Sequence, residues 1–298
     1  MNTLGPIAVA ALALTLAAQS NAEILLVDSF ETGDMSATND QGFRWDRNNR
    51  TSIVSSDEVV YSNGETSIQM PSGRDWETID EEHSLRFRYP AGSDMAEQRF
   101  DLGGAYPEAW YKYWIRVPQN YTHSTSSPSN NKFFATWMDG YSSQGNGPTA
   151  FWNLMSNGSG GSSIAVSYSD GGYSVAGGQM QIQPFIRVPE DRGRWMQVVY
   201  RVKASSNSGT RDGEIELWRR WENENSFTQI HEVENALLPI PPEGPNGWNE
   251  GYIMGWANAP YSQDTEWLLD SFHVSTSSLL DESAADDSRP EPPTLTID

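Results

Sequence analysis

The chain of 298 residues contains no cysteine, which excludes disulfide bonds, thiolate metal sites and thiol catalysis. Lysine is also scarce, with three residues (Lys112, Lys132 and Lys203) against 16 arginines, and the net charge is −21. A surface of this sign repels nucleic acid and anionic membranes, so we expect neither as a partner. The acidity suits solubility, and in a salty medium its repulsion is screened over a short distance.

The sequence also lacks a long hydrophobic run. Its most apolar stretch, Pro6 to Ala18, is shorter than the about 20 residues of a transmembrane helix. Ser20-Asn21-Ala22 follows, with small residues at the positions that a signal peptidase reads. We interpret residues 1–22 as a signal peptide, with an uncleaved anchor as the alternative, and predict a secreted or periplasmic bacterial protein without membrane insertion.

No segment has a helical period, and no internal repeat is present. About fifteen short strand-like segments are instead separated by Gly, Ser, Asn and Pro, which predicts an all-β chain. We expect a two-sheet antiparallel β-sandwich, a jelly roll, as one domain over residues 23–280. Residues 281–298 are acidic, contain proline and lack aromatic residues, which predicts a disordered tail.

Period-two alternation is clear in the segment Trp110–Val117. One side of a strand there would pack in a core, while the other would present aromatic and cationic groups suited to a polar ligand. We interpret this second side, with the neighbouring Gln98, as a substrate-binding surface. Its residues are Trp110, Lys112, Trp114 and Arg116.

Several stretches resemble a known group of domains. Asp28-Ser29-Phe30-Glu31-Thr32-Gly33-Asp34 is similar to the opening of many carbohydrate-associated jelly rolls, and Trp267 to Ser275 to their closing strand. Gly193 to Val199, followed by Asp212 to Trp218, resembles a strand pair of concanavalin-A-like and laminin-G-like domains. The middle of the chain, from Glu97 to Phe134, resembles jelly-roll polysaccharide lyases of the heparin-lyase-like and alginate-lyase-like kinds, although their short motifs are incomplete here.

This resemblance implies cleavage of an acidic, uronate-containing polysaccharide by β-elimination. The reaction needs a group that neutralises the uronate carboxylate, a base, and an acid for the leaving oxygen. Arg99, which shares a strand face with Glu97 and Asp101, is our candidate for the first role; a solvated ion cluster is the alternative. His123, in a long loop, is our candidate for a base or ligand contact. The further candidate catalytic residues are Asn131, Lys132 and Tyr113.

Two other functions remain open at this point. Glu214 and Glu216 would share one strand face, as the paired carboxylates of retaining glycoside hydrolases do. A glycan-binding module without activity would equally use the 12 tryptophans of the chain. We expect a monomer with a polysaccharide partner and no organic cofactor. A structural Ca²⁺ is a further prediction, because hard carboxylates could meet where the terminal strands pair. Its candidate ligands are Asp28, Glu31, Asp34 and Asp270.

Overall fold

The structure, a computed structural model, describes residues 23–55 and 82–280. All regular elements in these two ranges are β-strands, fifteen in number, arranged in two antiparallel sheets. The predicted all-β sandwich is therefore confirmed. No helix in the described ranges is long and apolar enough to cross a membrane. The predicted signal peptide, the predicted tail and a predicted strand at Thr66–Pro71 lie outside the described residues.

The larger sheet, here called the back sheet, contains eight strands. Seven follow one another across the sheet, and the first described strand pairs with the last described one. In spatial order they are β13 (Thr228–Ala236), β12 (Gly213–Trp221), β11 (Trp195–Lys203), β6 (Glu108–Arg116), β15 (Thr265–Ser275), β4 (His83–Tyr89) and β3 (Thr51–Ser55), with β1 (Ile24–Asp28) beside β15.

The second sheet, here called the front sheet, contains seven strands and packs its inner face against the back sheet. In spatial order they are β10 (Gly177–Ile186), β9 (Ser162–Ser169), β8 (Thr149–Ser156), β7 (Asn130–Trp137), β14 (Trp248–Trp256), β5 (Met95–Tyr106) and β2 (Arg44–Asn49).

Aromatic side chains fill the space between the sheets. Phe134 of the front sheet stacks on Tyr200 of the back sheet at 4.2 Å between ring centroids, and Trp152 meets the same ring edge-on at 4.9 Å. All three are fully buried, and burial of each such ring contributes on the order of 2 kcal/mol or more. The alternation predicted for Trp110–Val117 is present, because Tyr111 and Tyr113 face this core.

The strand β2 was not predicted from the sequence. Its segment, Arg-Trp-Asp-Arg-Asn-Asn, has a single apolar residue, Trp45, and the other five side chains are exposed. Among the described residues, β2 is an edge strand of the front sheet and pairs only with β5. An edge strand with one inward side chain carries too little apolar alternation to be recognised.

Candidate active site on the outer face of the front sheet

The strands of the front sheet align their outward side chains in rows that cross the sheet. In the upper row, Lys132 lies opposite Asn153 of β8, which in turn lies opposite Ala165 of β9. The middle row runs Phe151, Ala135, Tyr252 and Arg99, from β8 to β5. The lower row runs Thr149, Trp137, Glu250, Asp101 and Arg44, from β8 to β2.

A hydrogen-bonded chain of a lysine and two tyrosines lies at the centre of this face. Lys132 Nζ donates to the hydroxyl of Tyr141 at 2.8 Å, and that hydroxyl lies 3.4 Å from the hydroxyl of Tyr252. Lys132 and Tyr141 are half-buried, whereas Tyr252 is fully buried. Burial, followed by the neighbouring Tyr141, raises the pKa of Tyr252 well above its ordinary value, so this hydroxyl stays protonated.

Tyr141 belongs to the loop after β7, and two left-handed residues bring it back over the sheet. Asp139 has φ 55° and Gly140 has φ 87°, a conformation that glycine adopts without steric cost. The returning ring packs on Trp137 at 4.9 Å and meets Tyr252 edge-on at 5.3 Å. The loop therefore places a phenol hydroxyl beside Lys132.

Arg99 supplies a second cation on the same face. Its guanidinium carbon lies 5.6 Å from the centroid of the Tyr141 ring, and Lys132 Nζ lies 4.9 Å from the same centroid. Arg99 Nε also donates to Glu97 Oε1 at 2.7 Å. Desolvation acts to lower the pKa of Arg99, but the ion pair with Glu97 outweighs it and the pKa is raised. Arg99 is thus a permanent positive charge.

The lower row places carboxylates beside these cations. Trp137 Nε1 donates to Glu250 Oε2 at 2.9 Å, and Asp101 forms an ion pair with Arg44. Burial raises the pKa of Glu250, and the carboxylate of Asp101 adds to this, against the hydrogen bond from Trp137. Positive and negative groups therefore alternate at this end of the face.

The structure brings together two of the predicted catalytic residues, Arg99 and Lys132, and separates them from the other three. Tyr113 lies between the sheets, with its hydroxyl 2.9 Å from that of Tyr200. Asn131 is buried and holds the backbone of Ala259 through two hydrogen bonds. Neither side chain reaches the outer face.

His123 is likewise an interior residue. Its Nδ1 lies 2.7 Å from Ser162 Oγ and 3.3 Å from the hydroxyl of Tyr121. Burial lowers the pKa of His123 to about 4, so the ring is neutral at pH 7. The predicted loop position is correct, but the side chain turns inward instead of toward the face that carries Lys132.

The predicted substrate-binding surface lies on the other sheet. Trp110, Lys112, Trp114 and Arg116 do share one face of β6, but it is the outer face of the back sheet, and these side chains are buried. Gln98 is also buried, and its amide donates to the backbone oxygens of Asp46 and Arg99. These five residues are therefore remote from the Lys132–Tyr141 pair or turned away from it.

The candidate hydrolase pair is held in an ion network on the back sheet. Arg201 contacts Glu214, Glu216 and Glu108, and Lys203 Nζ lies 2.6 Å from Glu214 Oε1. Burial acts to raise the pKa of Glu214, but its two cationic partners outweigh burial, and the pKa of Glu214 is lowered. In Glu216 burial is the largest effect, and its pKa is raised. Both carboxylates thus form ion pairs with Arg201.

The four candidate calcium ligands do not form one cluster, although β1 and β15 pair as that prediction requires. In residues 23–55 and 82–280, no group of three or more His, Asp and Glu side chains is placed to hold a metal ion. Each carboxylate accepts local hydrogen bonds: Asp28 from Trp45 and Phe30, Glu31 from the amides of Glu82 and His83, Asp34 from Thr32 and Ser36, and Asp270 from Ser84 and Ser271.

Sequence reasoning missed Tyr141, Tyr252 and Trp137. The chain contains 12 tyrosines, and no sequence pattern selects Tyr141 and Tyr252 among them. The one available signal is that a loop following a strand of a rigid sheet is a frequent place for functional residues.

No family model and no curated protein matches the chain. Solved structures do match. A variant of the alginate lyase Aly36B in complex with alginate trisaccharide is 12% identical, with a TM-score of 0.51 over 77% of this chain and 99% of that one. The PL-14 alginate lyase from Aplysia kurodai is 13% identical, with a TM-score of 0.49 over 66% and 84%. Alginate lyase vAL-1 from Chlorella virus is 11% identical, with a TM-score of 0.47 over 80% and 95%.

The two-sheet arrangement and the likeness with a TM-score of 0.51 together define the class of fold. The chain has the jelly roll of the kind found in polysaccharide lyases, as its sequence predicted. At 12% identity the likeness describes the fold alone, and an activity depends on the side chains of the site.

Proposed function

We propose that the protein is an exported polysaccharide lyase that cleaves a uronate-containing polysaccharide by β-elimination on the outer face of the front sheet. The observation that carries this proposal is the 2.8 Å contact between Lys132 Nζ and the Tyr141 hydroxyl, with Arg99 against the same tyrosine ring. A neutralising cation and two groups that exchange protons are the parts that such a reaction requires.

Arg99 takes the first role. Its planar guanidinium can bind the uronate carboxylate in a bidentate manner. Neutralising that carboxylate makes the proton on the adjacent carbon, C5 of the uronate, more acidic, because the negative charge that develops there is shared with the carboxyl group. Glu97 holds the guanidinium from the sheet side at 2.7 Å and fixes its orientation.

Tyr141 and Lys132 perform the proton transfers. The Lys132 ammonium stabilises the phenolate form of Tyr141 by charge and by its hydrogen bond, and the phenolate removes the C5 proton. The C4–O4 bond breaks, a C4–C5 double bond forms, and Lys132 gives a proton to the departing O4. A proton then passes from the Tyr141 hydroxyl to the Lys132 amine across their hydrogen bond, which restores both groups.

Tyr252 acts on Tyr141 and does not touch the substrate. It is fully buried beneath Tyr141, and its hydroxyl can donate to the Tyr141 oxygen from below. A neutral donor at this position stabilises the phenolate and holds its lone pairs toward solvent. Tyr252 is therefore a positioning residue.

The solved alginate lyases support the uronate as the group that is recognised. The structure with a TM-score of 0.51 contains an alginate trisaccharide, and alginate is a polymer of uronic acids. Export, which the N-terminal sequence predicts, would place the enzyme where such polymers occur.

The test uses the full chain with alginate, other polyuronates and glycosaminoglycans, and follows the ultraviolet absorbance of the unsaturated product. Tyr141→Phe keeps the ring and removes the hydroxyl, and we expect kcat to fall about 10²- to 10⁴-fold. Tyr173→Phe is the matched control, because that half-exposed ring packs on Tyr141 at 5.1 Å but has no assigned proton transfer. Equal activity of both variants would refute the assignment.

A glycan-binding module is the second candidate, and the aromatic cluster of Trp137, Tyr141 and Tyr173 favours it. Such rings can stack on sugar faces without any reaction. Retention on a polysaccharide column, with no absorbance change from any polymer, would favour this function over the lyase.

A further inference from the structure

Three adjacent strands of the front sheet are without charge. The strands β8, β9 and β10 contain 8, 8 and 10 residues, and none of these 26 is Asp, Glu, Lys, Arg or His. Charged residues make up 20% of the chain, so about five would be present at the average frequency. Nearly half of the face that carries the candidate site is thus electrically neutral.

The neutral strands continue the candidate site directly. From Lys132, the upper row passes through Asn153 and Ala165 to Met180 of β10, residue opposite residue. At about 4.8 Å between strands, Met180 lies about 14 Å from Lys132. Met180 is 50% exposed and its outward neighbour Ile182 is 83% exposed. A polysaccharide that crosses the sheet at Lys132 would therefore meet exposed apolar side chains on β10 and no charged side chain of β8–β10.

The charged half of the face has little capacity for further carboxylates. The cations in its three rows are Arg99, Lys132 and Arg44, and two of them already contact carboxylates, Arg99 with Glu97 and Arg44 with Asp101. Arg99 and Lys132 converge on one ring, that of Tyr141. With Lys132 occupied by the proton transfer to O4, Arg99 is left to receive the carboxylate of a single sugar residue.

We propose that the substrate carries its carboxylates sparsely, so that the cleaved uronate is flanked over β8–β10 by neutral sugar residues. This inference rests on the proposed lyase function and specifies its substrate class. In a homopolymer of uronic acids, each sugar over β8–β10 would bring a carboxylate that these strands leave uncompensated, on a protein with a net charge of −21. A neutral sugar offers an apolar ring face to the exposed side chains of Met180 and Ile182.

The test compares polymers with the same backbone and different charge. Alginate, polygalacturonate and polyglucuronate are each used intact and after reduction of about half of their carboxyl groups to primary alcohols. We expect the rate per remaining uronate to be about two- to fivefold higher on the reduced form of the cleaved polymer, the size expected for one exposed like-charge contact. A higher rate per uronate on the intact form would overturn the inference and leave the lyase function standing. No absorbance change with any of the six polymers would overturn the lyase function itself.

A pair of charge variants locates the effect. Met180→Arg adds a cation to the neutral half of the face and should raise the rate on the intact polymer about two- to fivefold, with a smaller gain on the reduced one, which retains about half of its carboxylates. Val27→Arg is the control for net charge, because Val27 is 53% exposed on β1 of the back sheet. Equal effects of both variants, or no effect of Met180→Arg, would show that no sugar lies over β10 and would overturn the inference.

Discussion

Replacing Gly255 by alanine tests how closely the site residues are packed. Gly255 lies in β14 between Lys132 and Glu97, and its φ is +133°, a conformation that residues with a side chain rarely adopt. A Cβ at this position would lie 3.1 Å from Glu97 Oε2 and 3.3 Å from Lys132 Cδ. The substitution therefore strains the backbone and pushes on two residues of the site.

The expected magnitudes follow from these two effects. A non-glycine residue in such a backbone region costs about 1–3 kcal/mol. For a domain of this size, each kcal/mol lowers Tm by about 2–4 °C, so Tm should fall by about 2–12 °C. Both contacts are a few tenths of an ångström too short, and relief by Lys132 would move its ammonium relative to Tyr141. Because a misplacement of about 1 Å costs about 100-fold in rate, we expect a loss of about tenfold.

The assay combines thermal unfolding with the rate of unsaturated-product formation. Gly158→Ala is the matched control, because Gly158 also has a positive φ of +81° but nothing lies within 4 Å of its Cβ position. The control should lose stability and keep its rate. Wild-type rate and wild-type Tm in Gly255→Ala would refute the reasoning, and a rate loss of equal size in both variants would show that crowding at Lys132 is not its cause.

Three further predictions concern the molecule as a whole. Burial lowers the pKa of His123 and His231 from 6.5 to about 4. Between these pH values the unfolded chain binds more protons than the folded one. The free energy of unfolding should therefore be unaffected by these rings above pH 6.5 and should fall toward pH 4 by up to about 1.4 kcal/mol per pH unit for each ring. Urea unfolding at several pH values measures this slope, and His231→Leu should reduce it; an unchanged slope would contradict the assignment. Glu214→Gln and Glu216→Gln should keep the lyase rate within about twofold, because both residues lie on the back sheet with Arg201, whereas loss of polymer cleavage in either would favour the hydrolase. Raising the salt concentration from about 0.01 to 1 M shortens the screening length from about 30 to 3 Å and should raise Tm at a net charge of −21; a Tm that falls steadily would show that attractive ion pairs dominate.

The fold was predictable because it depends on local patterns. Alternating side chains and Gly-, Ser- and Asn-rich turns mark most strands, and they require no knowledge of strand order. The same local reasoning placed Arg99 on one strand face with Glu97 and Asp101, as the register of β5 shows. The edge strand β2 could not be predicted, because five of its six side chains are exposed and its sequence shows no apolar alternation.

The site was only partly predictable, because it depends on which strands become neighbours. Alternation correctly predicts that Lys112 and Trp114 share one face of a strand. It contains no information on which sheet a strand joins, and β6 belongs to the back sheet whereas Lys132 lies in the front sheet. Tyr141 reaches Lys132 through a loop reversal at Asp139 and Gly140, and loop paths have no periodic signal. The contact between Lys132 and Tyr141 is a tertiary contact, which sequence patterns do not predict.

The pairing of β1 with β15 has a consequence for the order of assembly. Glu23, just before β1, donates through its backbone to Thr276, a contact between residues 253 positions apart. Within residues 23–55 and 82–280, β1 pairs with no strand other than β15. The first described strand therefore stays without its partner until almost the whole described chain has been synthesised. Such non-local pairing makes folding slow. A chain interrupted before residue 276 would leave the edge of β1 open to other molecules.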